Sequence, residues 1–256
     1  MQTSGVYIGT SGILLPFKNQ AHYPPEFEGK SRLEVYAHLF NSLEVNSTFY
    51  KLPRTETVAR WSASVPEAFR FTFKLWKQLT HNPGLSFDRA DVKAFADVVR
   101  AAGNNTGCIL VQIPPSTKFS SLARMGELLS ILRQQTDDKW PVAVEFRDNS
   151  WYRQESYELL NANGAAMVCH DKTGSESPLT TLAANTVYLR FHGPRGDYRG
   201  SYDQGLLYEY AGYIHTWRRE GKTVYIYFNN TAGDALANLQ LLHSFLENDF
   251  AELEQT

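Results

Sequence analysis

Short apolar runs rich in β-branched and aromatic residues recur about eight times along the chain, and most end on a charged or amide residue. In order, the endings are Gly9 and Thr10, Glu44 and Asn46, Lys74, Gln112, Glu145 and Arg147, His170 and Asp171, Arg190 and His192, and Asn229 and Asn230. The runs predict strands over Val6–Gly9, Leu43–Phe49, Arg70–Leu75, Cys108–Ile113, Val142–Phe146, Ala165–Cys169, Thr186–Phe191 and Thr223–Phe228. Between most of them the apolar period becomes helical. Helices are predicted over Ser31–Phe40, from about Thr55, and over Asp88–Ala102, Ser121–Arg133, Arg153–Ala162, Leu206–Arg219 and Gly233–Leu246. Ser31 with Glu34 reads as a capping box, Gly103 as the stop of the third helix, and Pro114 and Pro115 as the close of the fourth strand. Alternating strands and helices require a parallel sheet, and eight units are the number that closes one. The expected fold is therefore α/β, a single (β/α)8 TIM-type barrel spanning residues 1–256 as one domain, with polar residues at the C-terminal ends of its strands.

Strand parity gives these endings a direction. Glu44 and Asn46 share one face against Val45, and Glu145 and Arg147 share one against Phe146. Lys74 lies opposite Phe73, Gln112 opposite Val111 and Ile113, and Tyr188, Arg190 and His192 opposite Leu189 and Phe191. With the apolar partners facing the helices, five strands send polar groups into the barrel. Charges there are costly unless paired, so Glu44, Lys74, Glu145, Arg147 and Arg190 would also serve as a purely structural network. Their place at the strand ends, where barrels carry out catalysis and binding, favours a site.

Composition narrows the options. A length of 256 residues matches the roughly 250 of such a barrel. A formal net charge of -2 excludes a protein whose main affinity for nucleic acid comes from a broad basic face. The N-terminus lacks a basic segment followed by an apolar run, and no stretch approaches the roughly 20 apolar residues of a membrane span. The expectation is a cytoplasmic protein without membrane contact. Cys108 and Cys169 fall in separate runs and read as reduced core thiols.

Seven segments carry a family resemblance: Gly9-Thr10-Ser11-Gly12, Glu44-Val45-Asn46-Ser47-Thr48-Phe49-Tyr50, Lys74 with Thr80-His81, Gln112-Ile113-Pro114-Pro115, Glu145-Phe146-Arg147 with Ser150-Trp151, Arg190-Phe191-His192-Gly193, and Phe228-Asn229-Asn230. In this order they resemble the YecE-like proteins, a TIM-barrel family filed as a domain of unknown function. The resemblance covers about the whole chain and implies these motifs around a barrel mouth, but it supplies no reaction. It departs near the start, where the family continues with a Trp and then a Tyr, whereas here Ile13, Leu14 and Leu15 follow Gly12. The long first connection, Ser11 to Lys30, reads as a lid or wall whose contribution to the site differs from that in relatives.

Three chemistries fit the endings. In the favoured one, Lys74, Arg147 and Arg190 hold an anionic group of a small anionic or sugar-like substrate, Glu44 or Glu145 is the general base, and His192 or His81 moves a proton. Asn46, Gln112, Asp171, Asn229 and Asn230 complete the binding set, in a hydrolase, lyase or isomerase type of reaction. The loop from Gly193 to Gly200 would close over the ligand, and a phosphate would rest near Thr231 at the start of the last helix. The absence of any GxGxxG after a strand, and of a P-loop, predicts no dinucleotide or other cofactor. The alternative is a metal-dependent phosphodiesterase or endonuclease-like barrel in which His81, His170, His192, Glu44, Glu145 and Asp171 hold divalent ions; three nearby cations oppose it, and no metal is expected. The third reading is a non-catalytic binder of nucleotides or nucleic-acid ends, stacking bases on Tyr50, Trp76, Trp151 and Tyr227.

Overall fold

A computed structural model describes residues 5–137 and 139–253. Eight parallel strands wrap into a nearly closed barrel: β1 (Val6–Thr10), β2 (Ser42–Val45), β3 (Arg70–Lys74), β4 (Thr106–Ile113), β5 (Val142–Phe146), β6 (Ala166–His170), β7 (Thr186–Phe191) and β8 (Thr223–Phe228). Around them lie α1 (Arg32–Leu39), a single-turn α2 (Ser47–Tyr50), α3 (Thr55–Ala63), α4 (Arg89–Val99), α5 (Leu122–Gln135), α6 (Gln154–Ala162), α7 (Gln204–Arg219) and α8 (Ala235–Leu253). This is the TIM-type architecture that the strand and helix periods predict. No helix among the described residues is long and apolar enough to cross a membrane.

Parity holds around the barrel. Phe71, Phe73, Val111, Ile113, Phe146, Leu189 and Phe191 join Val35, Phe95 and Leu128 of the surrounding helices in the main apolar core. Inside, Cys108, Leu110, Ala143, Val168, Tyr188, Tyr225 and Tyr227 form a second cluster beneath the mouth. The Tyr227 hydroxyl lies 2.5 Å from Ser42 Oγ and 2.7 Å from Thr72 Oγ1, so this floor is satisfied as well as packed. Cys108 and Cys169 are buried free thiols.

Side chains bridge the seam between β1 and β2. Among the described residues these strands share a lone backbone bridge, Ser11 to Glu44. Below it, Asn41 accepts from Ile8 N at 2.8 Å and donates to Val6 O at 2.9 Å, as a neighbouring strand would. The Tyr36 hydroxyl of α1 accepts from Thr10 N at 2.7 Å and donates to Ser42 O at 3.2 Å. Gly9 permits this approach, since a Cβ there would sit 2.0 Å from Ser42 O.

The local structure refines the expected elements in several places. The second strand stops at Val45 rather than Phe49, because the Thr48 hydroxyl lies 2.9 Å from Val45 O and 2.7 Å from Lys74 O and caps both strand ends as the chain turns into α2. The helix starting after Asp88 ends at Val99 and tightens into a 3-10 turn that runs to Gly103, where a non-helical backbone at φ +53 and ψ -128 breaks it, so the predicted stop lies at the expected glycine. Residues 171–185 connect β6 to β7 with no helix among them. The long first connection folds back onto α1, where buried Phe27 packs edge-on against His38 with ring centres 5.1 Å apart. Ser31 and Glu34 do form the capping box.

Candidate active site

The mouth is organised around one guanidinium. Arg190, at the end of β7, is 2% exposed, and all five of its donors are engaged. Nε reaches Glu44 Oε2 at 2.9 Å; NH2 reaches Glu44 Oε1 at 2.6 Å and Ser11 Oγ at 3.1 Å; NH1 reaches Glu145 Oε2 at 2.5 Å and His192 Nε2 at 3.3 Å. Glu44 is saturated in turn, receiving Ser11 Oγ on one oxygen and the Tyr188 hydroxyl, at 2.6 Å, on the other. Burial alone would raise the Glu44 pKa, but the Arg190 charge and these donors hold it below the usual carboxylate value. Glu145 is depressed further: against burial stand the charges of Arg147 and Arg190. Arg147 Nε makes a close ion pair with Glu145 Oε1 that lacks hydrogen-bond alignment.

His192 completes this network as an acceptor. Arg147 NH2 lies 2.9 Å from its Nε2, and a guanidinium has only donors, so the proton is assigned to Nδ1, which faces Asp171 Oδ1 at 3.4 Å. Burial, with Arg190 and Arg147 alongside, lowers the ring pKa to about 4 despite the opposing pull of Asp171 and Glu145. At neutral pH the ring is uncharged. Asp171 accepts from His192 N at 2.7 Å and from the Tyr202 hydroxyl, tying the exits of β6 and β7 together. His170 is similarly engaged, with Nε2 3.0 Å from Phe146 O and Nδ1 accepting from Lys172 N at 3.2 Å.

Above the network is a cavity of about 210 Å³ lined by Asn46, Tyr50, Lys74, Arg190, Tyr198 and Asn229. Lys74 differs from the two arginines. Its ammonium forms no salt bridge among the described residues and lies 4.2 Å from the centre of the Phe49 ring. Burial and Arg190 lower its pKa to about 8, with Glu145 and Glu44 opposing and Arg147 adding to the fall. Asn46 supplies an oriented acceptor. The Ser11 hydroxyl proton goes to Glu44, so Asn46 Nδ2 must donate to Ser11 Oγ, at 2.7 Å, leaving the buried Asn46 Oδ1 without a partner.

Of the other candidates, Gln112, Glu44, Glu145, Arg147, His192, His81, Asp171 and Asn230 do not line this cavity. Gln112 is half-buried and registers opposite Glu145. Asn230 is fully buried and donates to Gly200 O and Asn238 Oδ1, both at 3.0 Å, anchoring the loop after β7. His81 packs edge-on against Phe49, and partial burial with the Lys74 and Lys77 charges lowers its pKa to about 4. Tyr198, unremarked in the sequence, forms a wall with φ +67 on a loop held by Gly193, where a Cβ would meet Arg199 O at 2.2 Å. The expected phosphate cradle near Thr231 is filled: the amides of Ala232, Gly233 and Asp234 donate to Tyr198, Asn230 and Gly200. Trp151 and Tyr227 are core residues, Trp151 stacking on Phe146 and donating to Thr117 O at 2.8 Å. Among the described residues no group of three or more His, Cys, Asp or Glu is placed to hold a metal ion.

Comparison with known proteins agrees with this architecture. The chain is 27% identical to the UPF0759 protein YunF of Bacillus subtilis strain 168 across 97% of both chains. It is 42% identical over 134 residues to the UPF0759 protein YecE of Escherichia coli K12, covering 52% of this chain and 48% of that one. A DUF72 family protein of Thermotoga maritima MSB8 superposes with a TM-score of 0.74 at 27% identity, over 94% of this chain and 99% of that one. One of Enterococcus faecalis V583 gives 0.78 at 20% identity, over 94% and 95%, and SacUVDE shares the fold more distantly, at 0.56 and 11% identity over 95% and 98%. A family model described as "Protein of unknown function DUF72" matches residues 7–256, and the chain belongs to that family.

Proposed function

We propose that the protein is an enzyme that performs proton-transfer chemistry on a small anionic or sugar-like molecule bound in the barrel mouth. The observation that carries this reading is the contrast between Arg190, with every donor engaged, and Lys74, which faces the same cavity without a carboxylate partner. The network of Glu44 and Glu145 with Arg190 and Arg147, two carboxylates against two guanidiniums, serves as a fixed, charge-balanced floor. Lys74 meets the anionic or carbonyl oxygen of the substrate, Asn46 Oδ1 accepts from a hydroxyl, and Tyr50 and Tyr198 form the walls. Because the Lys74 pKa lies near neutrality, its amine is suited to give and take a proton at the reacting atom. Glu44 and His192 then position charge in the floor and do not exchange protons with substrate.

Thermal unfolding at constant ionic strength tests the reading, with inorganic phosphate, glycerol 3-phosphate and glycerate as probes. A ligand that binds only the folded state adds about 2.7 kcal/mol at a hundredfold excess over Kd. The expected result is stabilisation of the wild type and of the exposed control Arg219→Ala, with the shift lost in Lys74→Met. Equal responses in all three proteins would reduce the effect to general salt stabilisation and remove the basis for a site.

A further inference from the structure

We propose that Lys74 is a covalent nucleophile and that the mouth takes aldehydes or ketones, which condense with its amine to form an imine. This rests on the reading that the mouth binds a small polar molecule, and it names the class of that molecule.

The placement of Nζ carries the argument. A nucleophilic amine needs a free lone pair, and an ion pair with a carboxylate would hold its proton in place. Glu44 and Glu145 are the nearest such partners by charge, yet both are turned to Arg190, and Glu145 also to Arg147. Lys74 is left with the face of Phe49, a weaker partner for an ammonium than a carboxylate. Every neighbouring element contributes charge: Glu44 from β2, Glu145 and Arg147 from the end of β5, Arg190 from β7, and Lys77 with neutral His81 from the turn after β3. Burial and the two guanidiniums outweigh the carboxylates. With a pKa of about 8, about one Lys74 in ten is the free amine at pH 7, against roughly one in three thousand for an ordinary lysine. Asn46 lines the same cavity and its buried Oδ1 lacks a partner, so a carbonyl compound whose neighbouring hydroxyl reached that oxygen would satisfy it, which favours a hydroxy-carbonyl compound.

The step balances without an added oxidant or reductant. The Nζ lone pair forms the C–N bond to the carbonyl carbon, and a proton passes from nitrogen to the former carbonyl oxygen, giving a carbinolamine. One proton from solvent then converts that hydroxyl to departing water, and the nitrogen keeps its remaining proton as the iminium. The iminium draws electrons from the adjacent carbon and so eases loss of a proton there.

Cyanoborohydride trapping with glyceraldehyde and, separately, pyruvate tests the proposal, followed by peptide mapping of the reduced adduct. The expected result is labelling of Lys74 about tenfold or more faster than of exposed Lys93 at pH 7, with the rate levelling off above about pH 8. A folded Lys74→Arg protein should show only background labelling. Labelling of Lys74 no faster than of Lys93, or none with either carbonyl, would overturn the proposal. The carbonyl-free counterparts glycerol and lactate separate the two readings. If they stabilise the wild type but not Lys74→Met while no adduct forms, the mouth binds and the amine is not a nucleophile; if they neither bind nor are matched by an adduct, both readings fall.

Discussion

Arg190 grips Glu44 side-on, with Nε 2.9 Å from one carboxylate oxygen and NH2 2.6 Å from the other. Two parallel charge-assisted bonds fix the plane of both groups, and Glu145 on the far side of the guanidinium completes a buried triad. Removing the cation from such a triad strands Glu44 and leaves Glu145 with Arg147 as its remaining cation.

Arg190→Met should therefore cost about 3–5 kcal/mol at pH 7, the range for breaking a buried ion pair from one side. Glu44 and Glu145 have folded pKa values below the ordinary 4.5, so their contribution is complete above that value and is lost as pH falls through the folded pKa. In Arg190→Met the sign reverses for Glu44, because an unpaired buried carboxylate titrates high. Urea unfolding at pH 7 and pH 4 should show the cost of the substitution shrinking in acid. A pH-independent cost would mean that packing, not charge, dominates at this position.

Lys74→Met should stabilise the protein at pH 7. A folded pKa of about 8 against 10.5 means that the ammonium is less favourable in the folded state, a penalty that is complete below about pH 8 and relieved as pH rises toward 10.5. At about 1.4 kcal/mol per pKa unit, the gain is on the order of 3 kcal/mol, and it should vanish near pH 10.5. Denaturant titrations at pH 7 and 10.5 check both the gain and its disappearance.

The seam offers a purely structural test. In Tyr36→Phe, Thr10 N–H loses its acceptor and Ser42 O its donor, both in a buried setting. The expected loss is about 1–3 kcal/mol, with the Thr10 amide exchanging faster with solvent than amides of β4 and β5. Uniform acceleration of exchange would show that the seam does not open independently.

The departure in the first motif has a physical trace. Ile13 lines an apolar cavity of about 300 Å³ with Leu33, Leu43, Val45, Trp61 and Phe71, at the position where the YecE-like motif continues with Trp. Filling such space commonly adds about 0.5–2 kcal/mol, so Ile13→Trp should raise the melting temperature by about 1–8 °C. A fall would show that the first loop has repacked around the smaller side chain.

Strand parity made much of the mouth legible, since alternation alone sends Glu44, Lys74, Glu145 and Arg190 to the inner face. It did not reveal which cation is neutralised. Lys74, Arg147 and Arg190 look equivalent along the chain, and their difference arises from contacts among β2, β5 and β7 that no local pattern records. The misread end of β2 has the same origin: Thr48 suits a strand by propensity, but its hydroxyl is recruited by two carbonyls, one on β3. Tyr198 was missed because its role depends on a positive φ in a loop built on Gly193, and a tyrosine gives no sign of that conformation.

If Lys74 is the uncompensated cation of the mouth, the ionisation of its amine must show it. Carbon-13 labelling of lysine Cε, with the Lys74 signal assigned by its absence from Lys74→Met, gives the titration of each lysine by NMR. The expected Lys74 midpoint lies near pH 8, well below that of exposed Lys93, and moves upward when glycerate or phosphate binds because the anion favours the charged form. A midpoint in the ordinary lysine range, unmoved by either anion, would contradict it and leave the mouth charges as a structural network.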